Sequence, residues 1–236
     1  MASLDKTSFG QNERLPGWIG GPAERPAIIV LQEWWGVTPE IKSQAQYISQ
    51  QGNYRVLVPD LYKGKVGVDA EEASHLSDSL DFKEATEEIE IAAQWLRQTG
   101  APKVGCIGFC MGGSLSLIAA EHAKVDAAVS FYGTPSGKNE LSHPEAIKAP
   151  VQMHGGKEDA MKRLSDPETV TKFAEDIKKG GGSAELFMYP GEGHGFMNAG
   201  EDVIKRMKTG GLPVGKKESQ DLAWKRVLEF FKAHLG

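Results

Sequence analysis

The stretch Lys103-Val104-Gly105-Cys106-Ile107-Gly108-Phe109-Cys110-Met111-Gly112-Gly113 constrains the whole chain. It reads as a short apolar strand, a tight Gly-x-Cys-x-Gly turn and the first turn of a helix rich in Leu, Ile and Ala. Turns of this form hold a nucleophile at a sharp strand-to-helix apex. The backbone at such an apex is strained, and side chains at Gly108 and Gly112 would collide with the adjoining helix and strand. The helix that follows aims its N-terminal N–H groups at the apex, which favours a thiolate and a developing oxyanion. The bland alternative is a strand-turn-helix around a buried, inert cysteine.

Around this stretch, strands and helices alternate. Ala27 to Leu31 is an unbroken β-branched and apolar run, as a strand buried on both faces requires. Pro39 opens a helix to about Gln51, with Gly52 as its stop. Tyr54 to Val58 is a strand, and helical sequence runs from about Ala70, strongest from Phe82 to Gln98. After the Cys110 helix, which runs to about His122, come strands over Val125 to Tyr132, Pro150 to His154 and Ala184 to Tyr189. Gly137 to Pro144 and Gly155 to Asp159 read as loops. Pro167 to Lys179 is a helix, Asn198 to Lys217 holds one short helix, and Ser219 to Leu235 carries apolar residues at helical spacing. Met1 to Pro26 is polar and glycine-rich, with Gly17 to Gly20 as a candidate edge strand. The pattern predicts one α/β domain over residues 1–236, with a mostly parallel central sheet and helices on both faces. Glu33, Cys110, Asp159 and His194 each follow a strand, so the topology gathers them at one sheet edge.

Composition narrows the function. A net charge of −5 over 236 residues, with no clustered Lys and Arg, gives no footprint for nucleic acid. No run approaches the roughly 18 apolar residues of a membrane span. The N-terminal stretch has no apolar signal core, and two cysteines four apart make neither a disulfide framework nor a structural zinc site. A reducing, cytoplasmic setting is expected. No metal or organic cofactor is implied, and the sequence leaves the oligomeric state open.

A thiol nucleophile needs a base that titrates near neutrality, and the base needs an acceptor to fix its tautomer. Cys110, Asp159 and His194 supply these in the chain order nucleophile, acid, histidine. Glu158 is the alternative acid. His154 is the nearest alternative histidine, better read as a buried, hydrogen-bonded side chain. Cys106 and Cys110 could also be read as a redox pair, but a strand's rise of ~3.3 Å per residue places them poorly for a disulfide. A silent ligand-binding protein on the same fold is the reading from another class.

Gln32-Glu33-Trp34-Trp35-Gly36, Val58-Pro59-Asp60-Leu61-Tyr62, Gly108-Phe109-Cys110-Met111-Gly112-Gly113, Phe131-Tyr132-Gly133, Gly156-Lys157-Glu158-Asp159 and Gly193-His194-Gly195-Phe196 together resemble the dienelactone hydrolase (carboxymethylenebutenolidase) family. The resemblance runs from about Pro26 to the C-terminal helix. It implies an α/β-hydrolase fold and hydrolysis of a small ester or lactone through a cysteine acyl-enzyme. It casts Cys110 as nucleophile, His194 as base, Asp159 as its orienting acid, and Glu33 as a carboxylate that contacts the resting thiol. The Met111 and Trp34 N–H groups would form the oxyanion hole. Trp35, Tyr132, Phe196 and Asn198 would touch substrate, Tyr132 from the wall. The family's carboxylate-binding arginines are missing here: Ala70 to Phe82 contains none, and Asn198 stands four residues after His194. Lys205 and Arg206 are the nearest replacements. The reaction is expected to be kept, on a dienelactone or on an uncharged or differently charged ester or lactone.

Overall fold

The computed structural model describes residues 3–135, 142–209 and 211–236. Its centre is an eight-stranded sheet, built from β1 (Asp5–Phe9), β2 (Leu15–Gly20), β3 (Ala27–Leu31), β4 (Arg55–Pro59), β5 (Val104–Phe109), β6 (Ala127–Phe131), β7 (Val151–Gly156) and β8 (Ala184–Tyr189). The spatial order is β1-β2-β4-β3-β5-β6-β7-β8. From β4 to β8 every pair is parallel, whereas β1 pairs antiparallel with β2 and β2 with β4. The order reverses between β3 and β5, because the chain leaves β3 for β4 and returns on its other side. A crevice opens at such a switch point outside the strand C-termini. Glu33 and Cys110 follow these two strands.

Side chains alternate across β3 and β5 into two cores. Ile28, Val30, Ile107 and Phe109 face α1 (Pro39–Gly52) and α7 (Lys217–Leu235). Ile29, Leu31, Val104 and Cys106 face α3 (Phe82–Gln98), α4 (Met111–His122) and α5 (Pro167–Lys179). Two shorter helices, α2 (Ala70–Ser79) and α6 (Glu201–Thr209), lie among the loops. Local chemistry sets the helix starts. Thr38, Asp69, Asp81 and Asp166 each accept a backbone N–H of the first turn of α1, α2, α3 and α5.

The structure moves several expected boundaries. The Gly17–Gly20 strand is β2, one place in from the edge, and the polar segment before it forms the edge strand β1. Only Phe9 of β1 is buried, and its other residues face outward or are half-covered, so no apolar alternation marks it. Gly52 ends α1 as a helical residue, and Asn53 makes the left-handed stop at φ 57°. β7 runs on through Gly155 and Gly156, which pair with Met188 and Tyr189. Most of the loop expected over Gly137 to Pro144 lies outside the described residues. Among the described residues, no helix is long and apolar enough to cross a membrane.

Candidate active site

Cys110 stands between β5 and α4 with φ 54° and ψ −115°, a conformation that costs a non-glycine residue about 1–3 kcal/mol. The surroundings hold it there. Its N–H donates to the Phe131 carbonyl at 3.0 Å, and its carbonyl accepts from Ser114 N–H at 3.1 Å. A Cβ at Gly108 would come within 1.8 Å of the Gly112 carbonyl oxygen, and one at Gly112 within 2.6 Å of the Leu31 and Gln32 carbonyl oxygens. Backbone therefore packs on backbone on both sides of the thiol. Met111 begins α4, so its N–H has no acceptor within the helix. The Trp34 N–H, in the turn after β3, has no backbone acceptor among the described residues.

His194 lies in the loop after β8. Its Nδ1 is 2.9 Å from Asp159 Oδ2, and it shares the cavity lining with Cys110. Asp159, buried after β7, accepts the Met161 N–H through Oδ1 at 3.0 Å. Burial works against charge on His194, but the Cys110 sulfur and Asp159 outweigh it and push the imidazole up to about 10. Burial also opposes the Asp159 carboxylate, yet the hydrogen bond and charge of His194, with Met161 N–H and Ser165, hold it below its ordinary range. Two loops are tied together beneath this pair. Buried Glu192 takes the Lys216 N–H at the start of α7 on its carboxylate, while its backbone carbonyl takes the Glu158 N–H.

Ser165 is a member of the site that the sequence did not reveal. It is fully buried, its Oγ is 3.0 Å from His194 Nδ1, and it favours the charged form of Asp159. No motif surrounds it, and a loop serine has no signature.

Glu33 is buried and accepts from Tyr132 Oη at 3.3 Å and from Asn198 Nδ2 at 3.2 and 3.4 Å. Burial raises its pKa, against the opposing charge of His194 and those hydrogen bonds. Among the described residues no hydrogen bond joins Glu33 to Cys110, so the resting contact implied by the resemblance is replaced by these neutral donors. Tyr132 is wholly buried, hydrogen-bonded to Glu33 and edge-on to His194 at 5.1 Å between ring centres. It lies behind the site and not on its wall. Phe196 is likewise in the core, packed on Tyr132, Phe131 and Tyr189, and is not in reach of the cavity.

The cavity itself has a volume of about 530 Å³. Cys110 and His194 open onto it, with Glu33, Trp34, Trp35 and Asn198 on its lining. Arg206 of α6 joins them, whereas Lys205 points to solvent. Glu158 is exposed. His154 hydrogen-bonds Tyr189 and Gln152 inside the core, where burial pushes it down to about 3. Both cysteines are free: Cys106 is buried in one core, and Cys110 is half-buried at the cavity. Among the described residues, no three His, Cys, Asp or Glu side chains group closely enough to hold a metal ion.

A mostly parallel sheet with this strand order, and a strained elbow at its switch point facing a histidine–carboxylate pair, belongs to the α/β-hydrolase fold. The chain is a member of the dienelactone hydrolase family, whose model matches residues 15–235. It is similar to the carboxymethylenebutenolidase of Pseudomonas putida, 29% identical over 185 residues, covering 73% of this chain and 75% of that one. A protein named usf from Aquifex pyrophilus is 29% identical over 233 residues, covering 93% and 91%. A crystal structure from Klebsiella pneumoniae, provisionally named a dienelactone hydrolase, superposes with a TM-score of 0.79 at 25% identity, covering 98% of this chain and 99% of that one. The chain is thus a dienelactone hydrolase-like hydrolase, of a family that acts on small molecules.

Proposed function

We propose that the chain acts as one domain that hydrolyses a small carboxylic ester or lactone, of the dienelactone type, through a thioester on Cys110. One observation carries this reading: Cys110 and His194 open onto one cavity while His194 Nδ1 is 2.9 Å from the buried Asp159 carboxylate. In the proposed cycle His194 already holds the proton of the Cys110 thiol, as the imidazolium that its raised pKa favours, and Asp159 fixes the ring and offsets its charge. The thiolate attacks the carbonyl carbon, and the oxyanion is received by the Met111 and Trp34 N–H groups. The tetrahedral intermediate collapses to a thioester, and the departing alkoxide or enolate takes the proton from His194. Water, giving its proton to His194, then attacks the thioester. The carboxylic acid leaves, and the thiol is restored. Glu33 takes part in freeing the thiol once substrate displaces it from Tyr132 and Asn198. A reducing compartment such as the cytoplasm suits a free nucleophilic thiol.

The test is turnover of p-nitrophenyl acetate and of a carboxylated dienelactone by the wild type, Cys110→Ala and His194→Ala. Each substitution is expected to lower kcat by roughly 10²-fold or more, with a covalent adduct on Cys110 seen by mass spectrometry. Full activity in either variant would sink the proposal.

A further inference from the structure

The two N–H groups of the proposed oxyanion hole lie on different elements, and one buried side chain touches both residues. Tyr62, in the turn after β4, donates from Oη to the Trp34 carbonyl at 3.0 Å. The same oxygen lies 3.4 Å from the Met111 sulfur. A hydroxyl has one proton, and a carbonyl is a better acceptor than a thioether, so the Trp34 carbonyl takes it. The sulfur is left to Ser77 of α2, whose Oγ stands 3.7 Å away. Burial pushes the Tyr62 phenol well above its ordinary range, which keeps it a donor near neutral pH.

Met111 and Trp34 differ in how firmly they are held. Met111 opens α4, which packs so closely on the sheet that a Cβ at Gly112 or Gly113 would come within 2.6 Å of the Leu31 or Phe131 carbonyl oxygen. Trp34 stands in a turn between β3 and α1. The Glu33 carbonyl accepts the Gly36 N–H at 3.1 Å inside that turn, and the Trp34 carbonyl accepts from Tyr62. The peptide planes on either side of the Trp34 Cα are thus set by one local bond and one that reaches across from β4. In a trans peptide the N–H points away from the carbonyl, so the first bond turns the Trp34 N–H away from Gly36. The second stops the turn from rolling. Gln32 Oε1 ties the same two loops one step earlier by accepting the Leu61 N–H at 3.2 Å. Loss of the Tyr62 hydroxyl alone therefore loosens Trp34 without parting the loops.

We infer that Tyr62 is a positioning residue for acyl transfer, whose hydroxyl holds the Trp34 backbone where its N–H and that of Met111 meet on one oxygen. This rests on the thiol hydrolase reading above. Among the described residues Tyr62 does not line the cavity, so it acts through Trp34 and not on the substrate.

The experiment presents the wild type, Cys110→Ala and Tyr62→Phe with two reagents that meet the same sulfur. p-Nitrophenyl acetate is attacked at a carbonyl carbon and passes through an oxyanion. Methyl methanethiosulfonate is attacked at sulfur, where its methylthio group joins the Cys110 thiolate in a disulfide and methanesulfinate leaves with the electron pair. No oxyanion forms in that second reaction. In Tyr62→Phe the rate constant for first-turnover release of p-nitrophenol at saturating ester is expected to fall about tenfold, with half-saturation nearly unchanged. Thiomethylation is expected to stay within about twofold of the wild-type rate constant. Both are first-order rate constants, so a loss of folded protein does not imitate the result. An unchanged acylation rate overturns the inference. So does a thiomethylation rate that falls by the same factor, which would place Tyr62 with the thiol and not with the oxyanion. In either case Cys110-dependent turnover by the wild type leaves the thiol hydrolase standing. Acetate turnover that is equal in the wild type and Cys110→Ala removes the hydrolase reading, and this inference falls with it.

Discussion

The elbow and the α6 wall border the same cavity, and they are held in different ways. At the elbow, carbonyl groups of β3 and α4 close on Gly108 and Gly112 so tightly that not even a methyl group fits. On α6 only Met207 is buried, and the helix is attached by a few polar ties. Glu40 of α1 takes the Ala199 and Gly200 N–H groups at 3.1 and 2.7 Å, and Arg206 donates to the Gly67 carbonyl. Groups that make and break bonds are fixed by backbone packing, where sub-ångström placement matters. Groups that contact the rest of a ligand sit on an element that gives way at small cost.

The strongest challenge to this contrast is Gly108→Ala. A Cβ 1.8 Å from the Gly112 carbonyl forces β5 and α4 apart, and stability is expected to fall by about 4 kcal/mol or more, read by chemical denaturation. A near-neutral result would break the contrast outright. Between the two regions in size stands a pH effect at His194. Its folded pKa is raised to about 10, so the stabilisation it brings is complete below its ordinary value near 6.5 and is lost as pH climbs toward 10. The melting temperature of the wild type should exceed that of His194→Gln most at about pH 6. In unfolding free energy that advantage should shrink by at most about 1.4 kcal/mol per pH unit. A gap that widens with pH would show the imidazole to be neutral in the folded site. Met207→Ala on α6 has the smallest expected cost, about 2 kcal/mol at the low end for a buried methionine. Met207 also lines the cavity, so its larger consequence falls on turnover of the bulkier p-nitrophenyl octanoate relative to p-nitrophenyl acetate. Equal losses on both esters would place α6 with the chemistry and erase the distinction.

How far the sequence could be read follows the same division. The elbow was legible because steric exclusion writes itself as glycine at fixed spacing. Strands β3 and β4 were legible because burial on both faces demands apolar runs such as Ala27 to Leu31 and Val56 to Val58. The N-terminal strand β1 left no such trace, since a short edge strand with one buried residue looks like a loop. Ser165 was invisible for a related reason: its role depends on a loop path that brings Oγ to His194, and no residue spacing encodes that path. Tyr132 and Phe196 were placed near the site in sequence terms, but proximity along the chain does not tell which side of a strand end faces the cavity. Lys205 and Arg206 stood side by side as the nearest replacements for the family's arginines, and nothing in the sequence chose between them until α6 laid Arg206 against Trp35 and left Lys205 exposed.

Cys106 gives the molecule an unplanned convenience. It is sealed inside the sheet, and burial pushes its thiol far up. Cys110 opens onto the cavity four residues later. A thiol-specific label therefore has one address on the native protein, and counting the label taken up counts the intact sites in a preparation. A second equivalent appears only as the sheet opens, which makes the same reagent a gauge of unfolding.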